Sequence, residues 1–128
     1  MKKEEEENKR RYGTVNFEKR RHPRFNVDLP VEYARSGPVV NHGEVVNVSE
    51  EGLLLHLPEE VEVGQHLSLK LVFPSGIDFN TIETLVLVVW TDIHVGKGWG
   101  NYRTGVKFIG ISPEDLEKLR IFLNSLSK

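Results

Sequence analysis

The sequence predicts a mainly β protein: a six-stranded antiparallel β-barrel with a C-terminal α-helix and a flexible N-terminal arm. Three observations carry that prediction. Apolar residues alternate with polar ones in short runs, turn-forming residues punctuate those runs, and one amphipathic stretch with capping signals ends the sequence. The 128 residues suffice for one domain with a real core and are too few for two. The predicted division is a charged, disordered tail at 1–18 and a barrel domain at 19–128. That domain includes a basic arm at 19–24 and the helix at 113–126.

The first strand runs from Phe25 to Tyr33, where Phe25, Val27, Leu29, Val31 and Tyr33 alternate with polar residues and Pro30. Pro30 lacks an amide hydrogen, which puts this strand at an edge or a bend. Ser36-Gly37-Pro38 is a turn. Glu44–Val48 and Leu53–Leu57 are the second and third strands, joined by a tight connection ending at Gly52. Pro58–Gly64 is an acidic turn region. Leu67, Leu69, Leu71 and Phe73 mark the fourth strand, ended by Pro74-Ser75-Gly76. Ile82–Trp90 is a long β-branched run, expected to be a strand buried on both faces. Gly96–Gly100 is a glycine-rich hairpin loop, and Tyr102, Thr104, Val106 and Phe108 mark the sixth strand. The helix starts with Ser112 as cap, Pro113 at its first position and Asp115 in a capping-box position. Leu116, Leu119, Phe122, Leu123 and Leu126 share one of its faces.

Composition narrows the function classes. No run of 18 apolar residues exists, so no membrane insertion is expected. The N-terminus, Met-Lys-Lys followed by four glutamates, has no secretory h-region. The absence of cysteine removes disulfides, thiolate metal sites and cysteine nucleophiles, and fits a cytoplasmic location. The five histidines show no short metal-ligand spacing, and no Ser/His/Asp order marks a nucleophile, so the reading is a non-enzyme with no cofactor or metal. Gly96-x-Gly98-x-Gly100 matches neither a phosphate loop nor a dinucleotide fingerprint.

The net charge of −2 hides an asymmetry. Residues 1–24 hold nine Lys/Arg and five Asp/Glu, while the other 104 residues hold eight and fourteen. Affinity for a duplex comes largely from many phosphate contacts, which an acidic body opposes. A compact anion held by one cationic arm is compatible with it; DNA is not an expected partner.

Two stretches remain as candidate binding residues. Lys19-Arg20-Arg21-His22-Pro23-Arg24 puts four cations in six residues around a proline, which disfavours a regular helix. Guanidinium groups are planar forks suited to phosphate and to the O6/N7 edge of guanine. The plain alternative is a solvated basic linker. Asn47 and Ser49 are two residues apart, which in extended geometry places both side chains on one face. Gly52 permits positive φ or a close approach of backbone or ligand. Here the plain alternative is a turn whose Asn and Ser cap their own backbone.

Taken as an ordered pair, Arg20-x-x-x-Arg24 and Asn47-x-Ser49-x-x-Gly52 on such a barrel resemble the PilZ domain family. The resemblance runs from Lys19 to Leu126 and includes Gly105-Val106-Lys107-Phe108 and Trp90. It implies a bacterial signalling receptor that binds the nucleotide cyclic di-GMP and changes conformation to regulate an unidentified protein effector, as a monomer or weak dimer. Arg20 and Arg24 are then expected to clamp guanine and phosphate, with Arg21 adding a phosphate contact or a stack. Asn47 and Ser49 are expected to contact a guanine, Gly52 to shape the turn, and Trp90 to lie beside the ligand or in the core. Lys19 stands where the family is thought to choose between one ligand and a stacked pair. Asn47 stands where the family often has Asp, with Asn a common variant; an amide has less acceptor capacity and no charge, so weaker binding at most is expected. Two competing readings are a ligand-free interaction adaptor of the same family and a small RNA-binding barrel. The first is opposed by the retained motif residues, the second by the acidic body.

Overall fold

The computed structural model describes residues 23–93 and 102–127. The tail at 1–18, arm residues 19–22 and the Gly96–Gly100 loop lie outside the described residues. The described chain forms β1 (Phe25–Ala34), β2 (Asn41–Val48), β3 (Gly52–Leu57), β4 (His66–Ser75), β5 (Asp78–Ile93), β6 (Tyr102–Ile111) and α1 (Pro113–Leu126). The strands close into a barrel in the order β1-β2-β3-β6-β5-β4, with every neighbouring pair antiparallel. The predicted six-stranded antiparallel barrel with a C-terminal helix is therefore the observed one.

Period-two patterning builds the core. Val31, Tyr33, Val45, Leu55, Leu57, Leu67, Leu71, Phe73, Ile82 and Val86 point inward and are fully buried or nearly so. Pro30 pairs with Glu44 of β2, whereas the ladder from β1 to β4 begins only at Val31. The proline thus occupies a stretch of β1 paired on one side only, as its missing N–H favours. The expectation that β5 is buried on both faces is corrected. Its burial alternates, and Leu85 and Val89 on its outer face are exposed. A closed antiparallel barrel leaves the outer face wet wherever no helix covers it.

Helix α1 lies on β4 and β5. Leu119, Phe122 and Leu123 are buried, and the Phe122 ring packs 4.6 Å from that of Phe73. The Ser112 hydroxyl accepts from the Asp115 N–H at 3.1 Å, as a helix cap does. The Asp115 carboxylate accepts from the Glu83 N–H of β5 at 3.0 Å, so the acid predicted for the capping box ties the helix to the sheet.

Two β-bulges set the direction of the candidate site residues. In β2, Val45 pairs with Leu55 and Asn47 with Leu54, so Val46 is an extra residue. In β5, Val88 pairs with Val106 and Trp90 with Gly105, so Val89 is extra. Each bulge reverses the alternation beyond it. Asn47 shares parity with buried Val45, and Trp90 with buried Val86 and Val88. Strict alternation sends both side chains inward; the bulges turn both out.

Candidate functional site

The bulges and the barrel register place the candidate residues in one row. Asn26 pairs with Asn47, Asn47 with Leu54, Leu54 with Gly105, and Gly105 with Trp90. Asn47 and Trp90 thus face outward at the two ends of a four-strand row, roughly 14 Å apart at about 4.8 Å per strand. The row forms the floor of a cleft of about 180 Å3 lined by Arg24, Asn47, Ser49, Gly52, Trp90 and Lys107, among others. Five of the eight residues singled out from sequence therefore meet in one place. Lys19, Arg20 and Arg21 lie outside the described residues.

Arg24 precedes β1 and is exposed. It reaches the cleft because the next residue, Phe25, pairs with Val48, between the other two candidate polar residues. The Asn47 amide donates to the Asn26 side-chain oxygen at 3.3 Å, which orients it along the row. Trp90 is 43% exposed.

The prediction that Ser49 shares a face with Asn47 is corrected. Strand β2 ends at Val48, and Ser49 turns into the connection, where it is buried. Its hydroxyl oxygen accepts from the N–H groups of Glu51 at 3.1 Å and Gly52 at 3.3 Å. Its N–H donates to the Gly52 carbonyl at 3.0 Å. Ser49 thus caps its own turn, the plain alternative for this residue. Its hydroxyl hydrogen faces the Gly52 carbonyl at a long 3.4 Å and remains the group it can offer.

Gly52 is required for one of the two predicted reasons. Positive φ occurs at Gly37, Gly64 and Gly76. At Gly52 the requirement is close approach: a Cβ there overlaps the Val106 carbonyl oxygen and comes within 2.9 Å of the Lys107 Cα. The turn can meet β6 this tightly only without a side chain.

Sequence reasoning missed Lys107, Leu54 and Gly105 as cleft residues. A signal for Lys107 was present, since the alternation from buried Val106 sends it outward, two residues from Gly105. The cleft therefore carries two described cations, Arg24 and Lys107, against the single acid Glu51. A larger hollow of about 540 Å3 lies by β1, β2 and β4. Asp28, Glu32 and Glu44 line it with Lys70 and His42, and the hydrogen bond between Asp28 and Glu44 raises the Glu44 carboxyl above its ordinary range. Three carboxyl groups give this hollow the wrong sign for a phosphate ligand. Among the described residues no group of acids and histidines is arranged to hold a metal ion, and no helix is long and apolar enough to cross a membrane.

Comparison with known proteins bears on the family and the fold. The model of the PilZ domain family matches residues 18–125. No curated protein matches the chain in sequence. Among solved structures, the c-di-GMP-bound PilZ domain of YcgR from Escherichia coli is similar at a TM-score of 0.67 and 14% identity, over 86% of this chain and 92% of that one. The Bacillus subtilis inhibitor of motility MotI/DgrA is similar at 0.69 and 18% identity, over 84% of this chain. This chain spans about half of MotI/DgrA, 53% of its length. The Borreliella burgdorferi PlzA protein in complex with c-di-GMP is similar at 0.53 and 14% identity, over 80% of this chain and 52% of that one.

Proposed function

The chain belongs to the PilZ domain family, and on that premise we propose that it is a cytoplasmic receptor for cyclic di-GMP, without catalytic activity of its own. The observation that carries the proposal is the meeting of Arg24, Asn47, Ser49, Gly52 and Trp90 around one cleft, although they are spread over 67 positions of sequence. The structures of relatives with c-di-GMP support the choice of ligand.

The chemistry of the cleft suits a ring with two phosphates and two guanines. The Arg24 guanidinium is a bidentate partner for guanine O6/N7 or for a phosphate. Lys107 adds a point charge for phosphate. The Asn47 carbonyl oxygen accepts from a guanine N–H; being neutral, it does so less strongly than a carboxylate. The Ser49 hydroxyl donates from a turn that Gly52 holds against β6. The half-exposed Trp90 indole offers a flat face for a base.

The cleft is small for this task. Sites for small molecules run about 300–1,000 Å3, against about 180 Å3 here. The residues at 19–22 supply the rest of the enclosure in this account. Arg20 clamps guanine or phosphate, Arg21 adds a phosphate contact or stacks on a base, and Lys19 bears on whether one ligand or a stacked pair is bound. In the domain proposed at 19–128, binding orders the arm over the cleft, changes the exposed surface and so changes the affinity for a protein effector. The domain acts as a monomer or weak dimer, with no DNA and no membrane insertion in its output.

Titration calorimetry of the purified chain with cyclic di-GMP tests the reading. Saturable binding is expected. Arg24→Ala should remove most of it, and Lys70→Ala, on the acidic hollow, should leave it unchanged. Binding of single-stranded RNA in place of the cyclic nucleotide would overturn the proposal.

A further inference from the structure

Trp90 does not stand free over the cleft. A Cβ placed on Gly105 overlaps the indole Nε1 and comes within 2.5 Å of Cε2 and 2.7 Å of Cδ1. These indole atoms are the three nearest to that position. The five-membered side of the ring therefore lies directly against the Gly105 backbone, on the neighbouring strand. Gly105 is buried although it belongs to the outward row between Leu54 and Trp90. The side chain covering it is the tryptophan of the next strand.

We infer that Gly105 is a positioning residue for the ligand site: the side chain it lacks is the space in which the Trp90 indole is seated as a platform for a purine base. Two features of the strands make the arrangement. The bulge at Val89 turns Trp90 outward against its parity. The register then sets it opposite Gly105, the one outward position in β6 without a side chain between Arg103 and Lys107. A ring resting on backbone loses rotamer freedom before the ligand arrives, so stacking a base on it costs less ordering entropy. The ring also keeps one face against protein and the other toward the cleft. This offers a stacking face to a flat aromatic partner such as a base. The inference rests on the receptor reading, and its test separates the two.

The test uses the full chain in a Trp99→Phe background, so that Trp90 is the sole tryptophan. Acrylamide quenching of its fluorescence is measured without ligand. Gly105→Ala should raise the quenching, because a methyl group displaces the ring from its seat. Cyclic di-GMP affinity is then measured for the parent, Gly105→Ala, Trp90→Ala and the double variant. Gly105→Ala should weaken binding about tenfold, within the range for loss of a stacked base. In the Trp90→Ala background the same change should cost nothing further. Thermal unfolding of the double variant controls for folding, since without the indole the added methyl meets none of the atoms that crowd it. Unchanged quenching in a parent that binds the nucleotide would overturn the role of Gly105 alone, as would an equal loss of affinity from Gly105→Ala in both backgrounds. Increased quenching in a parent that binds no cyclic di-GMP would overturn the receptor reading and leave the seat of the indole standing.

Discussion

Gly52→Ala should be among the most damaging single-methyl changes in this barrel. Its Cβ lands on the Val106 carbonyl oxygen, with the Lys107 Cα 2.9 Å away. Both are backbone atoms of β6, so no side chain can rotate aside. Relief needs a movement of β3 from β6 by about 1 Å, which overpacks or opens the ladder. Overpacking of a tight site costs about 1–3 kcal/mol. The shift also strains the hydrogen bond from the Phe108 N–H to the Glu51 carbonyl, 3.0 Å, and that from the Gly52 N–H to Ser49, 3.3 Å. Each is worth about 1 kcal/mol net. The expected loss is about 3 kcal/mol, a large part of the 5–15 kcal/mol typical of a domain. At about 4 °C per kcal/mol for a body of this size, the melting midpoint should fall by about 12 °C. Gly37→Ala is the internal comparison. That glycine has φ 75° and nothing within 4 Å of its Cβ, so only the backbone conformation is penalised, by about 1 kcal/mol. Urea unfolding of both variants reads the difference. A Gly52→Ala protein as stable as Gly37→Ala would refute the contact argument.

Two groups away from the cleft give further stability predictions. The Thr104 hydroxyl is fully buried and has no hydrogen-bond partner among the described residues. Thr104→Val keeps the shape and removes that desolvated group, so the fold should gain about 1 kcal/mol in urea unfolding, and a loss of that size would refute the assignment. The Tyr33 hydroxyl donates to Glu59 at 2.8 Å, and burial, then that bond, raises its pKa above the ordinary 10.0. A raised folded pKa means stability that is fully present below pH 10 and lost as pH rises through the folded value. Tyr33→Phe should cost about 1 kcal/mol at pH 7 and show a shallower decline above pH 10 than the unaltered protein; parallel declines would argue against the account.

What the sequence made legible was patterning, and what it hid was pairing. Alternation from Phe25 to Tyr33 and from Leu67 to Phe73 is written into residue type, so strand existence and the inward set could be read directly. Ser112, Pro113 and the 3.6-residue spacing of Leu119, Phe122 and Leu123 likewise announced α1 and its buried face. The bulges at Val46 and Val89 were not legible, because an extra residue in one strand is defined only against its partner. That is why Trp90 read equally as core or site; Ser49 was expected on the face of Asn47 because the end of β2 at Val48 was not legible either. Gly52 and Gly105 show the same limit. Both glycines stand out in the sequence, but the atoms that require them lie on strands more than fifty and about fifteen residues away. Arg24 and Asn47 were singled out by residue type and spacing together with the family resemblance, since either half-motif alone reads as a linker or a turn.

The central claim is that the row from Asn47 to Trp90, with Arg24 above it, is the floor of a cyclic di-GMP site. Calorimetric titration of the purified chain with cyclic di-GMP addresses it most directly. The account predicts saturable binding that Arg24→Ala largely abolishes and Lys70→Ala retains. Absence of heat at millimolar nucleotide with a folded protein, or full binding by folded Arg24→Ala, would contradict it.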